Sequence, residues 1–108
     1  MPRRIERVNE LILKELGNII LREGEITGCI LTLTRVETSA DLSYADVYFL
    51  TIPDEEAKGA KKKLVKKIGK LQHALNKRLR MKPLPKIRLH IDREEQEAAK
   101  LDKLLDDL

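Results

Sequence analysis

The sequence predicts an α+β domain in which helices cover one face of a three-stranded mixed sheet. Hydrophobic residues make up 42% of the 108 residues but aromatics only 3%, so the core has to be built from Leu, Ile, Val and Ala, which pack well on helices. Long stretches repeat their apolar residues at steps of three and four, and three shorter stretches are β-branched or alternate apolar with polar. The length suits one domain spanning 1–108 and is too short for two separately cored units.

The elements follow in order. From Arg3 to about Arg22, Ile5, Val8, Ile12, Leu16 and Ile19 lie on one helical stripe, and Gly24 follows it, where a residue free to take positive φ would end the helix. Cys29 to Thr38 is rich in β-branched residues, and in Ala45 to Ile52 the residues Ala45, Val47 and Phe49 share one face while Asp46 and Tyr48 share the other. The connector Ser39 to Ser43 is short enough to force an antiparallel hairpin, with Asp41 shaping the turn through its side chain.

After Pro53, Asp54 is placed to cap a second helix, and Glu55 and Glu56 suit its positive first turn. Its apolar stripe runs Ala57, Ala60, Leu64, Ile68, Leu71, Leu75 and Leu79. Lys62, Lys66, Lys70, His73 and Lys77 fall about half a turn away. Gly69 interrupts this pattern at a cost of about 1 kcal/mol relative to Ala, so the helix is expected to split there into two. Pro83 and Pro85 end helical structure, and Lys86 to Asp92 alternates as a third strand, reached by a crossover long enough for parallel pairing. Residues 92–108 hold a short acidic helix with Ala98, Leu101, Leu104, Leu105 and Leu108 on its apolar side and its acidic face in water.

Net charge is +4, a total that hides strong segregation. Residues 1–25 balance five acids against five bases, 26–57 carry six acids and one base, 58–91 carry thirteen bases and no acid, and 92–108 carry seven acids and three bases. A lysine run is ordinarily a solvated helix face, but such faces mix signs, and the lack of any carboxylate from Ala57 to Ile91 points to a polyanion. The residues expected to meet phosphates are Lys62, Lys63, Lys66, Lys67, Lys70, Lys77, Arg78, Arg80, Lys82 and Arg88, with Lys61 and Lys86 beside them. Gly69 is either a plain helix break or a place where backbone amides approach a phosphate.

Other chemistry is weakly represented. Cys29 has no internal partner and reads as a small core residue in a reducing compartment. No secretory leader and no uncharged run long enough to cross a bilayer is seen. His73 and His90 lack partners at metal-ligand spacing, and no acid, base and nucleophile stand together, so neither a metal nor catalysis is expected. Tyr44 and Tyr48 are too few for a stacking platform, and Tyr48 is expected to pack on the sheet.

The element order resembles the type II KH fold, αββααβ with an added terminal helix, and two blocks resemble the ribosome-binding factor A family. One runs from Thr32 to Tyr48 and holds the Ser39, Asp41, Leu42 turn and the Ala45, Val47, Tyr48 strand. The other runs from Leu79 to Asp92 and holds the basic turn, Pro83 and the strand. The opening Arg3, Arg7 and Val8 is similar but weakly specific. The family's kink is usually Ala-x-Gly, two apolar residues and Arg; here it reads Lys67, Ile68, Gly69, Lys70, Leu71, Gln72. The Gly is kept and the Ala and Arg are not, while Lys67 and Lys70 restore positive charge within one turn.

The resemblance implies a cytoplasmic, monomeric assembly factor of the small ribosomal subunit. It would bind 16S rRNA of the immature 30S particle and assist late maturation, including processing near the RNA's 5′ end. No cofactor, small-molecule substrate or membrane is implied. There is no Gly-x-x-Gly loop, so recognition by RNA shape is expected over readout of single-stranded bases. The competing expectation is a general DNA- or RNA-binding module; a DNA reader would need an exposed recognition helix, whereas this basic helix buries its other face.

Overall fold

The computed structural model describes residues 2–81 and 84–108. The chain forms α1 (Pro2–Glu23), β1 (Ile30–Thr38), β2 (Tyr44–Ile52), a 3₁₀ turn (Asp54–Glu56), α2 (Ala57–Lys66), α3 (Ile68–Arg78), β3 (Lys86–Ile91) and α4 (Arg93–Asp106). The sheet order is β1-β2-β3; β1 pairs antiparallel and β3 parallel with β2, giving the expected mixed sheet.

Strand alternation divides the sheet into two faces. Val36, Ala45, Val47, Phe49, Ile87 and Leu89 point toward the helices and are buried. Val8, Ile12, Leu16 and Ile19 of α1, Ala60 and Leu64 of α2, and Leu71 and Leu75 of α3 meet them in one cluster. Tyr44, Asp46, Tyr48, Arg88 and His90 share the opposite face, which the register sets by pairing Asp46 with Arg88 and Tyr48 with His90. In the hairpin, the Asp41 carboxylate accepts hydrogen bonds from the Ser39 hydroxyl at 2.8 Å and the Ser43 N–H at 3.1 Å.

The structure corrects five local expectations. The helix break falls at Lys67 (φ −98°, ψ 8°), and Gly69 lies within the first turn of α3. The Lys67 side chain reaches the end of α1, donating to the Glu23 carbonyl at 3.3 Å and pairing with Glu25 at 2.9 Å, so the break coincides with a tertiary contact. The positive φ after α1 belongs to Glu25 (53°). Gly24 is needed for a different reason: a Cβ there would lie 2.6 Å from the Ile20 carbonyl oxygen, which accepts the Gly24 N–H at 2.8 Å.

Asp54 caps nothing; it starts the 3₁₀ turn, whose preceding residue is Pro53, and its carboxylate lies 3.8 Å from the Lys100 ammonium. Cys29 precedes β1 and is only half-buried, with its thiol pKa pushed up by burial. Finally, α4 runs only from Arg93 to Asp106, and its leucines face solvent rather than the core: Leu101, Leu104 and Leu105 are each 57% exposed, and Leu108, past the helix end, is fully so.

Candidate nucleic-acid interface

The basic surface is built by the underside that it does not use. Ala57, Ala60, Leu64, Leu71, Leu75 and Leu79 are buried, so the residues half a turn away on α2 and α3 must face outward. Lys62 and Lys66 of α2 and Lys70, His73 and Lys77 of α3 are exposed on that side, with Arg80 just past the end of α3. Lys63 is exposed on the flank of α2, near Thr27 and Gly59. Among the described residues, none of Lys62, Lys63, Lys66, Lys70, Lys77 and Arg80 forms an ion pair. Their charges remain available to an external anion.

Four other expected contacts stand differently. Lys67 is half-buried at the break and engaged by Glu25; its hydrogen bond and charge hold the Glu25 carboxyl below the ordinary range. A cation beside the last carbonyls of α1 also complements that helix's negative end. Arg78 donates to Glu15 of α1 at 2.9 Å, clamping α3 to α1. Lys82 lies outside the described residues.

Arg88 is on the other side of the molecule, on the sheet face turned from the helices. It donates to both Asp46 carboxylate oxygens, at 2.8 and 3.1 Å, and its guanidinium carbon lies 4.3 Å from the Tyr44 ring centre. The Arg88 hydrogen bonds outweigh the effect of burial and hold the Asp46 carboxyl below the usual carboxylate range, with His90, 2.8 Å from Asp46, adding to this. Tyr48 packs on the sheet as expected: the Arg35 guanidinium sits 3.7 Å from its ring centre and the His90 ring 5.1 Å away. These arginines cover the tyrosine rings, so the outer sheet face is a self-satisfied network rather than a stacking platform for bases.

Two glutamines hold the scaffold behind the basic face, and neither was evident as a scaffold residue in the sequence. Gln72 of α3 accepts from the Ile87 N–H at 2.9 Å and donates to the Pro85 carbonyl at 3.2 Å, fixing the start of β3. Gln96 of α4 does the same for Thr51 and left no local signal. Among the described residues, no group of three or more His, Cys, Asp or Glu side chains is placed to hold a metal, and no helix is long and apolar enough to cross a membrane.

Comparison with known proteins agrees with this architecture. A ribosome-binding factor A from Lactobacillus delbrueckii subsp. bulgaricus is 38% identical over 113 aligned positions, spanning all of this chain and 92% of that one. The crystal structure of ribosome-binding factor A from Thermus thermophilus superposes with a TM-score of 0.69 at 27% identity, covering 82% of this chain and 97% of that one. The T. thermophilus factor as fitted into an electron-microscopy map of a complex with the 30S gives 0.68 at 29% identity, covering 79% and 91%. The family model for ribosome-binding factor A matches residues 4–105, and on this match and these relatives the chain belongs to the ribosome-binding factor A family.

Proposed function

We propose that this protein is a single KH-like domain that binds 16S rRNA in the immature small ribosomal subunit and assists its late maturation, including processing of the 5′ end. The observation that carries the reading is the outward face of α2 and α3, where Lys62, Lys66, Lys70, Lys77 and Arg80 stand without carboxylate partners among the described residues. The T. thermophilus relative fitted on a 30S particle supports the small subunit as the target.

Each lysine that neutralises a phosphate releases condensed counterions, so affinity falls with salt by a slope of roughly 0.7 to 0.9 per contact. The leucine-lined underside keeps these charges in a fixed array, which favours folded RNA over a flexible polyanion. Gly69, in a helix turn that no side chain caps, lets backbone amides come close to a phosphate. Lys63 extends the face, and Lys82 is a further contact expected from the sequence. Lys67, Arg78 and Arg88 reach RNA only by leaving Glu25, Glu15 and Asp46, and contribute less. The action is binding, without catalysis, cofactor or membrane, by a cytoplasmic monomer.

Co-sedimentation with immature and mature small subunits at several salt concentrations tests this. Preferential, salt-sensitive association with the immature particle is expected. Association with neither particle, or equal affinity for duplex DNA, overturns it in favour of a general nucleic-acid module.

A further inference from the structure

At the break between α2 and α3 a carboxylate stands within the cationic surface. Lys67 Nζ lies 2.9 Å from Glu25 Oε2 and donates to the Glu23 carbonyl at 3.3 Å. The hydrogen bond and charge of Lys67 are the main causes of the lowered Glu25 pKa, and the charge of Lys70 adds to them. The two lysines that a phosphate at the break would meet are therefore the two that act on Glu25. Lys62, Lys66, Lys70 and Lys77, by contrast, form no ion pair among the described residues.

The contact is placed so that a polyanion can take it over. The Glu25 side chain is 80% exposed, and an exposed pair is weak because water and salt screen it. Its backbone has a φ of 53°, a left-handed conformation that L side chains rarely adopt, just past the end of α1. Glu15 and Asp46, which hold Arg78 and Arg88, are mostly covered and tie elements of the scaffold together, so those two arginines are committed in a way that Lys67 is not. A phosphate already held by Lys66 and Lys70 confronts Lys67 at high local concentration, as Glu25 does. The two anions compete for one ammonium, and what Lys67 gains from the phosphate is reduced by what it gives up at Glu25.

We propose that Glu25 is an autoinhibitory contact of the RNA-binding surface, which occupies Lys67 in the free protein and competes with an RNA phosphate for it in the complex. This rests on the RNA-binding reading above and adds regulation to the same surface. The contact weakens the grip on RNA by a set amount, which keeps binding reversible for a factor that prefers the immature particle and so has to leave the mature one.

The test is a double-mutant cycle of Glu25→Gln and Lys67→Met in the full chain, with affinity for 16S rRNA measured at several salt concentrations. Glu25→Gln should raise affinity by roughly two- to fivefold at low salt, with the gain shrinking as salt screens the pair. In the Lys67→Met background the same change should give no gain. Glu23→Gln, which removes an equal charge two residues away, controls for net charge and should give little gain. Melting temperatures show whether Lys67→Met loosens the break; if it does, the comparison of Glu25→Gln with Glu23→Gln decides alone. No gain from Glu25→Gln, the same gain with and without Lys67, or an equal gain from Glu23→Gln would each overturn the proposal. A parent chain that did not bind RNA would sink the RNA-binding reading and this one with it; a parent that binds, with Glu25 and Lys67 acting independently, sinks this one alone.

Discussion

Gln96 stands in for a missing strand beside Thr51, donating to the Thr51 carbonyl at 2.7 Å and accepting from its N–H at 2.9 Å. β3 ends at Ile91, opposite Phe49, so β2 runs on past its parallel neighbour with buried backbone groups to satisfy. The side-chain amide matches a peptide group in having one donor and one acceptor, and it ties α4 to the sheet at the same time.

Replacing Gln96 with Leu should therefore cost more than a surface change. Thr51 would keep two buried, unpaired backbone groups, each worth about 1–3 kcal/mol when left unsatisfied. A drop in melting temperature with faster amide exchange in α4 is expected. Gln96→Leu at the parent's stability would mean that the Thr51 groups find other partners.

Two glycines should respond in opposite directions to the same substitution. Gly24→Ala places a Cβ 2.6 Å from backbone and should destabilise by about 1–3 kcal/mol. At Gly69 a Cβ would meet nothing within 4 Å and the backbone is already helical, so Gly69→Ala should stabilise by about 0.5–1 kcal/mol. If Gly69→Ala raises the melting temperature and still weakens RNA binding, the close approach of a phosphate there is supported; unchanged binding removes it.

Acid should weaken the fold through Asp92 and Asp46. Burial pushes the Asp92 carboxyl up, but hydrogen bonds from Thr34, the Glu95 N–H and Arg35, with the Arg35 charge, leave its pKa lowered. A carboxyl with a depressed folded pKa contributes stability that is complete above its ordinary value of about 3.9 and is lost as pH falls through the lower folded value. The parent should lose melting temperature progressively in that acid range, and Asp92→Asn should be less stable at neutral pH and flatter toward acid. Parallel curves for parent and variant would refute the assignment.

Core and face should separate cleanly. Leu64→Ala, at a fully buried position between α2 and the sheet, should cost about 2–5 kcal/mol. Reversing Lys66, Lys70 and Arg80 to Glu should change stability little, weaken RNA binding and flatten its salt dependence. Unaltered affinity in the triple reversal would place the RNA surface elsewhere.

The sequence by itself determined the elements, the buried stripes and the cationic segment. Helical and strand periods are local: Val8, Ile12 and Leu16 share a face whatever they pack against, and Ala45, Val47 and Phe49 do likewise. Thirteen bases without an acid from 58 to 91 need no coordinates to be seen. Only the tertiary structure decided which of those charges are available. Lys67, Arg78 and Arg88 meet Glu25, Glu15 and Asp46 across 42 residues or more of chain, and the pairing of strands put Arg88 on the face away from the lysines. It also placed the helix break at Lys67, whose side chain reaches the end of α1, rather than at Gly69. The leucines of α4 show the same limit. Periodicity says that they lie together, but whether a stripe is buried depends on what the rest of the fold brings to it, and here β2 meets the other side of the helix.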